Sequence, residues 1–354
     1  MKVILLAPTP PPAGGIASWT VRMQNANLKN GWKVEVVDEK LIGNREVFGS
    51  AKKIQIYTEM KRCISIWKNL CKSLEDKDAK VVHSCIPAGT TGMLRELICA
   101  IITKTKKRKF IIHYRCTLEN MVKSKLGNII FRILTNKSDL VIALNKSSLE
   151  FINKYSKIPV LLIPNFIEES MIRNENTKII SESIKRVVYV GGVIESKGCY
   201  DIIKVASEFP EVEFHLVGKA ESNIIKMNKP RNVILSGELR KEEVKLEFEK
   251  ADIFIFLTCF PGEGFSNALV EAMANGLPCI VTDWAANHDM IEEHGGIVVR
   301  TKDVPAVVEA IKNLDSDKNI RKEQSNWNIR KVKENYIDTI VTNMYVDAYE
   351  WVIK

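Results

Sequence analysis

Short apolar runs recur along the chain and alternate with longer stretches whose apolar residues return at helical spacing. That rhythm predicts alternating strands and helices, with strands buried on both faces as in a parallel α/β sheet. In the first half the runs are KVILLA (2–7), WKVEVV (32–37), KVVH (80–83), KFIIHYR (109–115), DLVIALN (139–145) and PVLLIPN (159–165). In the second they are RVVYVGG (186–192), EVEFHLVGKA (211–220), NVILSGEL (232–239), DIFIFLT (252–258), PCIVTD (278–283) and GIVVR (296–300). A helix is expected from Ile16 to Asn30, stopped by Gly31. Another is expected over 50–73, with Ile54, Tyr57, Met60, Ile64 and Trp67 on one side and several Lys or Arg elsewhere. Further helices start at Lys146 and at Ser266 or Asn267, the latter stopping at Gly276, and the chain reads as helical from Asp303 to its end. The polar stretch 168–185 divides the series, which predicts an α/β protein of two Rossmann-like domains, 1–167 and 186–330, joined by a linker.

Charge sharpens that division. Residues 1–167 carry 28 Lys and Arg against 12 Asp and Glu, and residues 168–354 carry 24 against 31. A basic first half suggests an anionic partner, a membrane surface or a nucleic acid. No apolar run approaches the roughly 20 residues of a membrane span, and VILLA (3–7) is too short for a signal peptide, so the expected location is the cytoplasm. The eight cysteines are scattered without a CxxC pair, which favours reduced thiols over disulfides or a structural metal.

The chemistry concentrates between Thr258 and Gly276. A strand leads into a loop, and the helix that follows presents free N–H groups and a positive dipole end, a setting suited to phosphate. Two carboxylates frame it: Glu263 in the Pro-Gly-Glu-Gly turn and Glu271 inside the helix. At the other end of the chain the Gly14-Gly15 pair follows the first strand, but it is not GxGxxG, so a nicotinamide cofactor is disfavoured. His113 stands at a strand's C-terminal end, where open α/β sheets place ligands. The basic cluster KTKKRK (104–109) lacks interleaved aromatics and reads as a solvated helix end.

The spacing Glu263, seven residues, Glu271, then Ala-Met-Ala-x-Gly resembles the donor-site signature of retaining glycosyltransferases of family 4, which have the GT-B fold. The resemblance implies two Rossmann-like domains facing across a cleft, with the terminal segment 331–354 crossing back to the first domain. It implies transfer of a sugar from a nucleotide-diphosphate sugar to an acceptor hydroxyl with retention, in bacterial cell-surface polysaccharide or glycolipid synthesis. By the same resemblance Glu263 and His113 lie beside the donor sugar, Glu271 grips the ribose, and the Gly264, Phe265 and Ser266 backbone faces sugar and diphosphate. Gly14 or Gly15 approaches the phosphates, as do Gly191, Lys197 and Gly198, while Gly218 and Lys219 border the base and Glu238 is a weaker candidate there. The family's arginine is missing, since Gly192 fills its place. Asp76 and Asp78 form the Asp-x-Asp that binds metal in GT-A enzymes, but they sit in a charged turn, so the expectation is a metal-independent reaction with no cofactor beyond the donor substrate. The expected partners are the donor, a sugar or lipid-linked acceptor and peripheral contact with an anionic membrane, with no nucleic acid. A GT-B nucleotide-sugar epimerase and a non-catalytic nucleic-acid or nucleotide-binding module remain as alternatives.

Overall fold

A computed structural model describes residues 1–11, 14–40 and 56–354. It divides into two compact units, Met1–Asn165 with Asp338–Lys354, and Phe166–Ile337. Each is built on a six-stranded sheet in which every pairing is parallel.

The strands of the first unit are β1 (Lys2–Ala7), β2 (Lys33–Asp38), β3 (Ala79–Ile86), β4 (Lys109–Tyr114), β5 (Leu140–Ala143) and β6 (Val160–Leu162), in the order β2-β1-β3-β4-β5-β6. The helices are α1 (Gly15–Asn25), α2 (Ile56–Ser73), α3 (Thr90–Thr105), α4 (Leu118–Met121), α5 (Lys125–Lys137) and α6 (Lys146–Tyr155). Alternation along each strand assigns side chains to two faces. Val82, Ile86, Phe110 and Ile112 pack with Ile66 of α2, Met93 of α3 and Phe131 of α5 in one core. His83, Cys85 and His113 point to the other face.

The second unit holds β7 (Arg186–Val190), β8 (Glu213–Val217), β9 (Val233–Gly237), β10 (Ile253–Phe256), β11 (Cys279–Thr282) and β12 (Gly296–Val299), in the order β12-β11-β10-β7-β8-β9. Its helices are α7 (Cys199–Ala206), α8 (Ser222–Lys226), α9 (Lys241–Lys250), α10 (Asn267–Ala274), α11 (Asn287–Ile291), α12 (Val304–Ser316) and α13 (Lys318–Asn335). The last helix, α14 (Asp338–Ile353), belongs to the first unit.

Several expectations change. The first helix stops at Asn25, five residues early, and a short 3-10 turn with Asn30 in the left-handed region follows. Leu28 and Trp32, on either side of that turn, are both buried. The helix expected over 50–73 is seen from Ile56, and Ile54 lies outside the described residues. Its inward face is Arg62, Ile66, Leu70 and Leu74, whereas Tyr57, Met60 and Ile64 are exposed. Residues 168–185 are not a free linker: Arg321 donates to the Ser181 and Glu182 carbonyls at 2.7 and 3.1 Å, and Lys178 Nζ donates to Ala251 O at 2.8 Å, so the segment packs along the second unit. The return to the first unit begins at Asp338 and not at 331. No helix among the described residues is long and apolar enough to cross a membrane.

Candidate functional site

In the second sheet the chain runs outward in opposite directions from β7 and β10, so the two neighbours mark a switch point. The loop after β7 carries Lys197 and the loop after β10 carries Glu263, and the two side chains form an ion pair. Both are mostly buried. Lys197 Nζ also lies 4.9 Å from the Phe260 ring centroid and 5.5 Å from that of Phe256, so aromatic faces hold the ammonium from one side.

Backbone contacts fix these loops. Cys259 N donates to Ser196 O at 2.9 Å, joining the two loops directly. Thr282 Oγ1 donates to Thr258 O at 2.6 Å and Trp284 Nε1 to Phe260 O at 2.8 Å, so β11 and its following turn brace the Glu263 loop from behind. Gly198 has φ 78°, and a Cβ there would lie 2.2 Å from Leu257 O. Only glycine fits. Gly191 and Gly218 abut at the ends of β7 and β8, where a Cβ on Gly218 would lie 1.9 Å from Gly191 O. These three glycines are therefore required by the packing of the loops themselves.

Gly264, Phe265 and Ser266 are buried, and Ser266 caps α10 by accepting from Leu269 N at 3.2 Å. Phe265 meets Tyr336 edge to face at 5.3 Å. Glu271 is half-buried in the second turn of α10, whose far end is locked by Gly276 at φ 70° against Ser325 and Ile329 of α13. Gly192, where the resemblance calls for an arginine, uses its carbonyl to accept from Tyr189 Oη at 2.8 Å. Lys219 sits close by along the chain's hydrogen bonds, since Val193 N donates to Lys219 O at 2.9 Å.

The predicted residues of the first unit stand differently. Gly14 has φ −177°, and a Cβ added there would meet nothing within 4 Å among the described residues, none of which demands glycine there; it precedes the N-terminus of α1, which opens at Gly15. His113 has no exposed surface. Arg115 Nη1 faces His113 Nε2 at 3.4 Å, His113 Nδ1 faces His83 Nε2 at 3.2 Å, and His83 Nδ1 faces Tyr349 Oη at 2.8 Å. Because a guanidinium only donates, His113 accepts at Nε2 and donates from Nδ1 to His83, which in turn donates to Tyr349. Burial and then the Arg115 charge hold His83 down at about 3, and the same causes, with His83 added, hold His113 well below the ordinary histidine value. His113 is thus a neutral link inside a packed cluster of Trp19, His83 and Tyr345, and its nitrogens are taken.

His83, Cys85 and His113 bring three metal-ligating atoms together. They do not suit a cation. Arg115 lies against them, burial pushes the Cys85 thiol up so that it stays protonated, and the spacing between the imidazoles is that of a hydrogen bond. Asp76 is ion-paired with Lys2 at 2.6 Å in its turn, at the amino ends of β1 and β3 and so at the end of the sheet opposite to the carboxyl ends where ligands bind. All eight cysteines are free thiols. Lys104 and Lys109 of the basic cluster pair with Asp139 at 2.6 and 3.8 Å.

Sequence reasoning missed Arg115, whose Nη2 donates to Asn165 at 2.6 Å and whose guanidinium lies 4.7 Å from the Trp19 ring. Its position two residues after His113 was the available signal. It also missed Arg95, buried between Glu39 at 2.9 Å and Glu96 at 2.6 Å, because nothing in a helix pattern marks a buried ion cluster. Burial, then the Glu96 charge, push the Glu39 carboxyl well up.

Residues 184–317, all in the second unit, match the group 1 glycosyl transferases. A Bacillus subtilis (strain 168) protein described as a putative teichuronic acid biosynthesis glycosyltransferase is 24% identical over 201 residues, 53% of this chain and 50% of the relative. The Processive diacylglycerol alpha-glucosyltransferase of Acholeplasma laidlawii is 26% identical over 216 residues, 53% of this chain and 64% of the relative. The matches thus span about half to two-thirds of these curated relatives. The Anabaena protein HepE, crystallised with UDP-glucose, superposes with a TM-score of 0.76 over 99% of this chain and 100% of its own, at 14% identity. The chain therefore has the two-unit α/β fold of GT-B glycosyltransferases, and its residues 184–317 are similar to the group 1 glycosyl transferases.

Proposed function

We propose that the protein is a retaining, metal-independent glycosyltransferase that moves a sugar from a nucleotide-diphosphate sugar to an acceptor hydroxyl in bacterial cell-surface polysaccharide or glycolipid synthesis. The observation that carries the reading is the Lys197–Glu263 pair at the switch point of the second sheet, beside the N-terminus of α10. Before the donor arrives, the two charges neutralise each other. An incoming diphosphate replaces Glu263 as the partner of Lys197, which releases the carboxylate to accept from sugar hydroxyls and to face the positive charge that develops on the ring. The ammonium, held by Phe260 and Phe256, and the amides ahead of α10 then meet the leaving diphosphate with preset charge. Lys219 supplies the second cation where Gly192 stands in place of arginine. Glu271 holds the ribose. His113 acts as a positioning residue through Arg115, since its own nitrogens are engaged. Names such as diacylglycerol glucosyltransferase among the relatives favour a lipid or lipid-linked acceptor reached at an anionic membrane.

A thermal-shift panel of nucleotide sugars tests this. A donor at ~100 times its dissociation constant raises stability by about 2.7 kcal/mol, and a panel without any shift defeats the proposal. Conversion of a sugar nucleotide with no acceptor present would instead indicate an epimerase.

A further inference from the structure

Helices α2, α3 and α5 cover one face of the first sheet, with α3 packed against both of the others. Their inward sides supply Ile66, Leu70, Met93, Cys99, Phe131 and Leu134 to the core. Their outward sides are not polar. Tyr57, Met60 and Ile64 on α2, Leu94 and Ile101 on α3, and Leu126, Ile129 and Ile133 on α5 are all exposed, Tyr57 by 70% and Leu126 by 61%. These are eight of the sixteen large apolar side chains that are exposed among the described residues, gathered on three adjoining helices. Within each helix they recur at steps of three, four or seven, so they form outward stripes and not scattered points.

The charges beside the stripes have one sign. Lys61, Lys68, Lys125, Arg132 and Lys137 are exposed on the same helices. The only acidic residues of α2, α3 and α5 are Glu59, which pairs with Arg62, and Glu96, which is fully buried against Arg95 and Ser84. Lys61 lies 4.3 Å from the Tyr57 ring, which shows how the apolar and cationic groups interleave. An exposed apolar field of this kind marks an interaction surface. A second copy of the chain would set cations against cations, which disfavours self-association. A flat anionic surface with an apolar interior complements both features.

We propose that the α2–α3–α5 face docks on an anionic lipid bilayer, with the eight apolar side chains entering the acyl boundary and the Lys and Arg ends reaching the phosphates. The inference rests on the membrane part of the proposed function and is independent of the donor chemistry. It places helix axes in the membrane plane, with no segment crossing.

The test is flotation of the full chain with vesicles of phosphatidylglycerol or of phosphatidylcholine. The wild-type protein floats with phosphatidylglycerol at low salt, is released by high salt, and does not float with phosphatidylcholine. The double substitution Ile129→Glu with Ile133→Glu lowers partitioning by roughly tenfold or more, because two apolar contacts become anionic. Ile225→Glu, at an exposed isoleucine of the second unit, floats like wild type. All of these positions face solvent, so the variants keep the wild-type melting temperature and nucleotide-sugar shift. Three results overturn the proposal: no flotation of wild type at low salt, equal flotation of the double variant, or a lipid-free dimer that the double variant dissociates. A lost nucleotide-sugar shift with intact flotation counts against the donor reading alone.

Discussion

The two units use the same sheet plan for different ends. Each has six parallel strands and a switch point, between β1 and β3 in the first and between β7 and β10 in the second. In the second unit the loops at that point bring a lysine and a glutamate together beside a helix N-terminus, and glycines let the backbones approach. In the first unit the polar groups near the strand ends lie inside the fold, as the chain Arg115, His113, His83 and Tyr349 and as the cluster of Arg95 with Glu39 and Glu96. The first unit buries these titratable groups while leaving eight large apolar side chains of α2, α3 and α5 exposed. The lesson is that one sheet plan places charge differently, with cations beside exposed apolar groups on α2 and α5 and a Lys–Glu pair on the loops of the second unit.

The largest expected effect is acid sensitivity confined to the first unit. His83 is held at about 3, against the ordinary 6.5, and His113 well below it, so both stay neutral in the fold while the unfolded chain takes up protons. The stability they contribute is complete above pH 6.5 and is lost as pH falls below it, for His83 at roughly 1.4 kcal/mol per pH unit down to about 3. Hydrogen exchange should show β3 and β4 losing protection at a higher pH than β7 and β10. His83→Gln should flatten the dependence, and equal loss in both units would erase the contrast.

Lys197→Met removes the preset cation and should lower kcat/KM by about a hundredfold to a thousandfold, by analogy with loss of an oxyanion-stabilising donor. The fold should survive, as circular dichroism would show. Next come the two glutamates, whose separation sharpens the picture of the second unit. Glu263→Gln should chiefly lower kcat and Glu271→Gln chiefly raise the donor KM, each by roughly tenfold to a hundredfold. Wild-type kinetics in both would make the pair surface decoration. The smallest expected effect is that of EDTA, which should leave transfer unchanged. Rescue of an EDTA-killed reaction by Mg²⁺ or Mn²⁺ would mean that Lys197 and the loop amides do not carry the leaving-group charge.

Much of this architecture is legible in the sequence. Each apolar run became a strand, and the central ones are written most plainly, because a strand buried on both faces leaves little room for polar residues. The cap at Ser266 and the stop at Gly276 are equally local, since each depends on one side chain or one backbone angle. The two glutamates and Lys197 are grouped as one site by the family resemblance, with Lys197 and Glu263 in loops after strands and Glu271 inside α10. What only tertiary structure decided were choices between equally good local patterns. The α2 sequence carries two apolar stripes, and the sheet chose Ile66, Leu70 and Leu74, leaving Tyr57, Met60 and Ile64 outside. His113 looked like a ligand-facing residue at a strand end, but side chains alternate across a sheet, and its face is the one closed by Trp19 and Tyr345. Tyr345 comes from α14, a helix more than 220 residues away in sequence, and the docking of so distant a segment is set by packing that periodicity does not encode.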